Sequence, residues 1–517
     1  MEPQDNDFHG KLLSYEEAPS FLENARSEGK KIAHCHGTFD LIHPGHVYHL
    51  EEAKSLGDIL VVTLTGEKYV NKGPGRPYFN DHLRVKALAA LECVDYVVVI
   101  PFPAAVEAIE CVRPDIYCKG KEYENTANDP TGNILDDVHT VEKLGGKVEY
   151  IGTVVFSSTK LLNRHFDAQR STVKNFCERL SRKFPPDRIK KEVERFQELS
   201  VLVIGDIIFD RYSQVVVQGL TSKNKTISAR HLDSETQPGG SLAVYRHLKE
   251  FTPNVKLIGL VGAEPWVDGR LGDYLDSDSD RVIRNEAFTT VIKHRFVEIE
   301  GHDKEVGKLF SVNFLDDYPP DNTAQEEVLK NIGEEIENAD VTIVMDFGHG
   351  LMQGVHRRFV EENARMMVLN CQTNSFNHGF NIINRQYRRA DVVTVDTAEL
   401  CLARSERHFD ARGGLAELVE FLGAQYGFFT QGDSPTLGAW NDQIVDCPAF
   451  ESVVTDTVGA GDAFCSLAAL ATANGLPVEV ATFLGQVAGA QAVKIVGNRE
   501  CIDKGAFVKA ATTLLNY

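Results

Sequence analysis

Between residues 30 and 164 the apolar positions come in short continuous runs, separated by longer stretches of mixed polarity. Residues 31–36, 58–64, 96–100, 116–119 and 148–151 read as strands. In 58–64, Asp-Ile-Leu-Val-Val-Thr-Leu, the unbroken apolar run predicts burial on both faces. Helices are expected at 46–56 and 81–91. The pattern resumes at 199, with strands expected at 201–206, 255–260, 341–345, 366–369, 392–395, 428–430 and 443–447, and a closing helical pair at 460–473 and 478–493. Strands alternating with helices predict two α/β, doubly wound domains, 28–165 and 199–517. The stretch between them, 166–198, is charged, helical in pattern and broken by Pro185-Pro186, and reads as a helical linker.

Composition narrows the picture. In 517 residues, 43% hydrophobic and 25% charged, each domain can bury a core. The net charge of −21 argues against nucleic acid or an anionic membrane as partner. It leaves room for phosphate ligands, which need only a local set of backbone N–H groups and a few Lys or Arg. The ten cysteines form no Cys-x-x-Cys pair, which argues against a zinc ribbon and fits a reducing compartment. The start, MEPQDNDFHGKLL, lacks the basic and apolar regions of a signal peptide, and no run of 18 apolar residues occurs. The expected location is cytoplasmic.

The first chemical motif, His36-Gly-Thr-Phe-Asp-Leu-Ile-His43-Pro-Gly-His46, follows the first strand, at its carboxyl end, where a parallel sheet binds ligands. Gly37 and Gly45 allow tight turns. His43 and His46 at a helix start can share one concave pocket near the positive end of the dipole and stabilise a phosphoryl group in transfer. A histidine pair this close also suits a metal or a helix cap. Lys72-Gly-Pro-Gly-Arg76-Pro, Arg84, Arg113-Pro-Asp115, Lys119-Gly120 and Phe156-Ser157-Ser158-Thr159-Lys160 follow in order. The hydroxyls of the last group, at a helix start, make an anion site.

This set resembles the cytidylyltransferase-like nucleotidyltransferase superfamily over about residues 28–164. It looks closest to the adenylyltransferase half of bifunctional heptose-phosphate enzymes and to glycerol-3-phosphate cytidylyltransferases. The resemblance implies that His43 and His46 contact the transferring phosphates. It places Gly37, Thr38, Phe39, Lys72, Arg76, Arg84, Lys119, Ser157, Ser158 and Thr159 around the nucleotide. Asp40 would face the substrate or fix its loop.

The second motif, Asp456-Thr-Val-Gly-Ala-Gly-Asp462, precedes an apolar helix. Gly459, Ala460 and Gly461 can present consecutive N–H groups to a phosphoryl group, and Asp462, just inside the helix, can take a proton from an attacking hydroxyl. A glycine-rich turn into a core helix is the plainer alternative. The run matches the signature of the ribokinase-like (PfkB) sugar-kinase family, and the likeness extends over about 199–517. It implies nucleotide phosphates at Thr457, Gly459, Ala460 and Gly461, and a sugar near Asp206, Asp210, Gly239, Gly240 and Asp346. Glu399, in Asp396-Thr-Ala-Glu399, would help organise Mg²⁺ through water. Ala243 and Asp396 depart from the family pattern, which has Asn at both places. The amide-rich run from Asn370 to Asn381 lines a site or forms a turn-rich loop.

Together these resemblances imply a homodimeric bifunctional enzyme. One half would phosphorylate a sugar with ATP and Mg²⁺. The other would transfer a nucleotidyl group from CTP or ATP to a sugar or polyol phosphate. In the heptose enzyme the kinase half comes first, so the order here is reversed. The alternative is a nucleotidyltransferase whose impaired kinase-like half binds a ligand as a regulatory or scaffolding module.

Overall fold

The computed structural model describes residues 10–70, 76–121, 134–152, 171–222, 224, 226–275, 280–300, 305–316, 319–374, 377–441, 443–451 and 453–516. Contacts divide the chain into two units, Met1–Lys190 with Val508–Tyr517, and Lys191–Phe507. Among the described residues, no helix is long and apolar enough to cross a membrane.

In the first unit the described strands are β1 (Leu12–Leu13), β2 (Ile32–Gly37), β3 (Ile59–Thr65), β4 (Tyr96–Ile100), β5 (Ile116–Gly120) and β6 (Lys147–Ile151). They form one parallel sheet in the order β1-β4-β3-β2-β5-β6. The apolar run of β3 serves two cores. Leu60, Val62 and Leu64 pack with Leu50, Val85 and Leu88 on one face, while Val61 meets Leu22, Ala108 and Val112 on the other. In β2, by contrast, two histidines interrupt the apolar face. The rings of His34 and His36 both hydrogen-bond the Thr63 hydroxyl, at 2.7 and 2.8 Å. Burial holds the His34 pKa well below its ordinary value, so this ring sits in the sheet neutral. Strand order reverses at β2, which has β3 on one side and β5 on the other. The crevice at its carboxyl end is therefore the ligand position of an open α/β sheet.

The second unit has a central sheet in the order β11-β10-β7-β14-β15-β16-β17-β18-β19. Its strands are β7 (Val201–Gly205), β10 (Val255–Gly262), β11 (Arg281–Asn285), β14 (Val341–Asp346), β15 (Met367–Cys371), β16 (Val392–Asp396), β17 (Tyr426–Thr430), β18 (Thr436–Trp440) and β19 (Gln443–Cys447). All pairs through β17 are parallel, and the last two strands return antiparallel. A second sheet, β13-β12-β8-β9, is built from β8 (Ile207–Leu220), β9 (Ile227–Gly240), β12 (Val291–Glu300) and β13 (Glu305–Phe314). The hydrophobic pattern did not predict it. Of its strands, β9 is buried only at Gln237–Gly240 and the described part of β13 is largely exposed, while β8 and β12 mix buried positions such as Tyr212, Val215 and Val297 with half-buried polar ones. They therefore carry neither a continuous apolar run nor a clean alternation.

The double glycine sits where β9 crosses β8. A Cβ on Gly239 would fall 2.5 Å from Asp210 Oδ2, and one on Gly240 2.6 Å from the Asp206 carbonyl oxygen. Gly240 also has φ +58°, which disfavours any side chain. Gly240→Ala is expected to destabilise the second unit by about 2 kcal/mol or more, read as a lower denaturation midpoint. An unchanged midpoint would show that the crossing of the two strands tolerates a side chain.

Candidate active sites

In the first unit the site starts from the cap of one helix. His43, extended at φ −135° and ψ 166°, is the N-cap of Pro44–Lys54, and its Nδ1 accepts the His46 backbone N–H at 3.3 Å. Pro44 opens the helix, where its missing N–H costs nothing. The His43 and His46 rings stack 3.9 Å apart, with planes 9° from parallel. Burial pushes the His43 pKa down. With Nδ1 accepting, a neutral ring carries its proton on Nε2, as a hydrogen-bond donor. Phe39, at a left-handed φ of +48°, sets its ring edge-on to His46. That conformation is rare for a bulky residue, and such strain concentrates at functional turns. A Cβ on Gly37 would meet the Phe39 ring at 3.2 Å.

The charged residues expected around this site are employed differently. The Asp40 carboxylate accepts the backbone N–H groups of Tyr78 and Phe79 at 2.7 and 3.0 Å and pairs with Arg76 at 3.2 Å. It fixes its loop and does not line an open surface. Arg84 was expected to contact phosphate, yet its side chain is fully buried. It donates to the carbonyls of Thr38 and Thr65 at 2.6 and 3.0 Å and pairs with Asp81. Arg84 ties the motif loop to β3 and to the helix Asp81–Ala89, and has no surface left for a ligand. Lys119 pairs with Asp137 at 2.8 Å. Lys72, Ser157, Ser158 and Thr159 lie outside the described residues.

In the second unit a cavity of about 250 Å³ opens at the carboxyl ends of β15 and β16, against the start of the helix Ala460–Ala473. Thr457, Gly459, Gly461, Asp462, Asp210, Gly240 and Glu399 line it, so the structure gathers these predicted residues in one place. Gly459 is the N-cap of that helix, at φ +85°, and a Cβ there would fall 2.0 Å from Asn498 Oδ1. Burial, then the nearby Asp210 charge, pushes the Asp462 pKa up to about 7. Gln372 Nε2 donates to Asp462 Oδ1 at 3.2 Å. Asp396 and Glu399 form a reciprocal cap on the helix Thr397–Arg404, each carboxylate accepting the other's backbone N–H at 2.8 Å. Asp caps a helix as well as Asn, so the change at 396 preserves this local structure. Ala243 is buried in the helix Ser241–Lys249 and offers the cavity no hydrogen bond.

Asp206 and Asp346, expected at the substrate, are instead anchors beneath it. Asp206 accepts the N–H groups of Phe347, His349 and Leu351 at 2.9, 3.2 and 3.2 Å. Asp346 takes the Arg357 guanidinium at 2.9 Å and the Tyr387 hydroxyl at 2.7 Å. Most of the amide-rich run serves the same loop. Asn374 and Asn377 donate to the Phe347 carbonyl, and Asn381 to that of Asp346, while Asn370 and Gln372 reach the cavity.

The hydrophobic pattern missed two cations. Lys293 and Arg295, on β12, line the cavity, and Arg295 pairs with Asp210. Burial lowers the Lys293 pKa, against the pull of Asp210. Their alternation, Lys-His-Arg within Val-Ile-Lys-His-Arg-Phe-Val, was the available signal: two cations on one face of an otherwise β-rich run.

Arg84→Met is expected to lower the urea midpoint by the equivalent of about 2 kcal/mol, because it leaves the buried Thr65 carbonyl and the half-buried Thr38 carbonyl without their donor. An unchanged midpoint with weakened nucleotide binding would return Arg84 to the phosphate.

Residues 34–164 match the cytidylyltransferase-like family and residues 363–505 the pfkB family of carbohydrate kinases. Over 164 residues the chain is 38% identical to the bifunctional protein HldE of Syntrophotalea carbinolica, covering 31% of this chain and 32% of that one. Over 158 residues it is 37% identical to HldE of Geobacter metallireducens, covering 30% and 31%. The chain thus spans about a third of the length of these curated relatives. Among solved structures, a ribokinase of Arabidopsis thaliana aligns with 62% of this chain and 99% of its own, at 15% identity and a TM-score of 0.46. The chain joins a cytidylyltransferase-like domain to a pfkB-family carbohydrate kinase domain, in the reverse of the HldE order.

Proposed function

We propose that the chain is a bifunctional cytoplasmic enzyme that phosphorylates a sugar or sugar phosphate with ATP and, in its other half, activates a sugar or polyol phosphate with CTP or ATP. The observation that carries the kinase reading is Asp462. A carboxylate whose pKa stands near 7 sits at a helix N-terminus behind a left-handed glycine, in a cavity holding two cations. It takes the proton of the acceptor hydroxyl as that oxygen bonds the γ-phosphorus and the bond to the ADP oxygen breaks. The N–H groups at 459–461 receive the negative charge on the phosphoryl oxygens.

Magnesium fits the donors present. Asp396 and Glu399 line the same cavity, and burial, then the Asp396 charge, raises the Glu399 pKa well above the carboxylate range. A cation held through water relieves that repulsion. Bound magnesium would neutralise charge on the nucleotide phosphates.

In the transferase, the acceptor's phosphate oxygen attacks the α-phosphorus and pyrophosphate leaves. The stacked His43 and His46 at the helix N-terminus donate hydrogen bonds to the oxygens that gain charge, and no covalent intermediate is required. The reading in which the kinase-like half only binds a ligand drew on Ala243 and Asp396. The cap made by Asp396 removes half of that support.

Pyrophosphate release from CTP and from ATP, against a panel of sugar and polyol phosphates, tests the transferase. ADP formation with a sugar panel tests the kinase. His46→Ala is expected to lower only the first activity, by about 10²-fold or more. Asp462→Asn is expected to lower only the second, by 10²–10⁴-fold on the order of general-base effects. No release by folded protein with magnesium and any pair would sink the transferase.

The kinase should also show its base in a pH profile. Only ionised Asp462 accepts a proton, so kcat/KM should rise with pH and level off above about 7. Burial and then Asp210 push this midpoint up, and Lys293 and Gln372 pull it down. A profile flat from pH 5 to pH 8 would remove Asp462 from the role of base.

A further inference from the structure

Asp456, the first residue of the glycine-rich motif, does not line the cavity. Its carboxylate is fully buried beneath the loop that does. Four donors converge on it: Tyr212 Oη at 2.9 Å, Lys308 Nζ at 2.7 Å, Gly497 N at 3.0 Å and Val458 N at 3.1 Å. Two of these come from the motif loop itself and from the segment whose Asn498 abuts Gly459. The other two reach in from β8 and β13 of the four-stranded sheet. Lys308 is the single cation among the four.

We propose that Lys308 is a positioning residue for phosphoryl transfer, whose ammonium anchors Asp456 and thereby holds the 457–461 loop in the geometry that receives a phosphate. This rests on the kinase reading above. A buried carboxylate with no counter-charge either takes up a proton or draws in water. Either change weakens the bonds from Val458 and Gly497, and the loop that begins at Thr457 loses its footing. Burial raises the Asp456 pKa, but the Lys308 ammonium, with the Val458 N–H and the Tyr212 hydroxyl, holds it below its ordinary value, consistent with an ionised anchor. Lys308 lies far along the sequence from the motif, and its side chain is partly exposed, so the contact is not a core-packing necessity. The consequence is a dependence of the phosphate loop on the four-stranded sheet. The loop is complete only when β13 delivers its lysine.

The test uses the full chain, comparing wild type, Lys308→Met and Lys308→Arg. Lys308→Met is expected to lower kcat for ADP formation by at least about ten-fold, with the acceptor KM within about two-fold. Pyrophosphate release by the other half serves as an internal control and should not change. Lys308→Arg should restore most of the rate, because it returns the cation. Amide hydrogen exchange across 457–461 should quicken in Lys308→Met and recover in Lys308→Arg. A Lys308→Met protein with wild-type kcat, or with wild-type exchange in that loop, overturns the proposal. If wild type forms no ADP with any sugar, the kinase reading fails by itself. The exchange comparison then still decides whether Lys308 anchors the loop.

Discussion

The second unit depends on one buried carboxylate. Asp206, at the end of β7, accepts three N–H groups from a single loop that follows β14. Burial, then the neighbouring Asp346, pushes its pKa up to about 7, and the three donors oppose that shift. Each bond to an ionised group contributes about 1.5–3 kcal/mol, so the loop has few alternatives. With the loop fixed, Phe347 takes its place in the cavity wall, and its carbonyl collects Asn374 and Asn377. Asp346 then secures the helix Gly354–Asn363 through Arg357. This part of the cavity wall follows from a carboxylate that does not itself line the cavity.

The first unit solves the same problem with the same device. Loops at the carboxyl ends of strands leave backbone donors with no sheet partner, and these must be satisfied. Asp40 collects two of them and Arg76. Arg84 does the complementary work for carbonyls, gathering those of Thr38 and Thr65. His43 caps its own helix while its ring stacks on His46. The ring is thus held in one orientation by its own backbone, which under the proposed transferase reading is the preorganisation that a developing charge requires.

Most strands of the two central sheets were legible because they carry continuous apolar runs such as 58–64 and 341–345, the exceptions being the two-residue β1, the charged edge strand β11 and the hairpin strand β18. The glycine-rich motif and the histidine pair were legible as helix starts, and the structure puts each at one, capped by Gly459 and by His43. Two things were not. The four-stranded sheet has no apolar run along most of its length, so Lys293, Arg295 and Lys308 arrived with no element to place them. The division of labour among aspartates was equally hidden. Asp206 and Asp210 are four residues apart in one sequence stretch, yet one anchors a loop and the other faces the cavity. A carboxylate beside a glycine-rich turn satisfies backbone donors or meets a ligand, and only the third dimension shows which.

Charge explains why the hidden strands matter most. Under the proposed reading, a chain with net charge −21 needs cations brought to the site locally, since its overall field repels phosphate. Asp210, Asp396, Glu399 and Asp462 already line the cavity. The central sheet supplies none of the lysines and arginines that balance them. Lys293 and Arg295 both come from β12, and Lys308, which balances the buried Asp456 behind the glycine-rich loop, from β13, so these cations belong to the four-stranded sheet. The four-stranded sheet provides both cations together with Asp210, while the strand ends and helix starts beside the central sheet provide Asp396, Glu399, Asp462 and the glycine-rich loop. Neither alone presents a surface on which a phosphate and a general base could coexist. Under that reading, strands with no long apolar run to mark them are what make the acidic site usable.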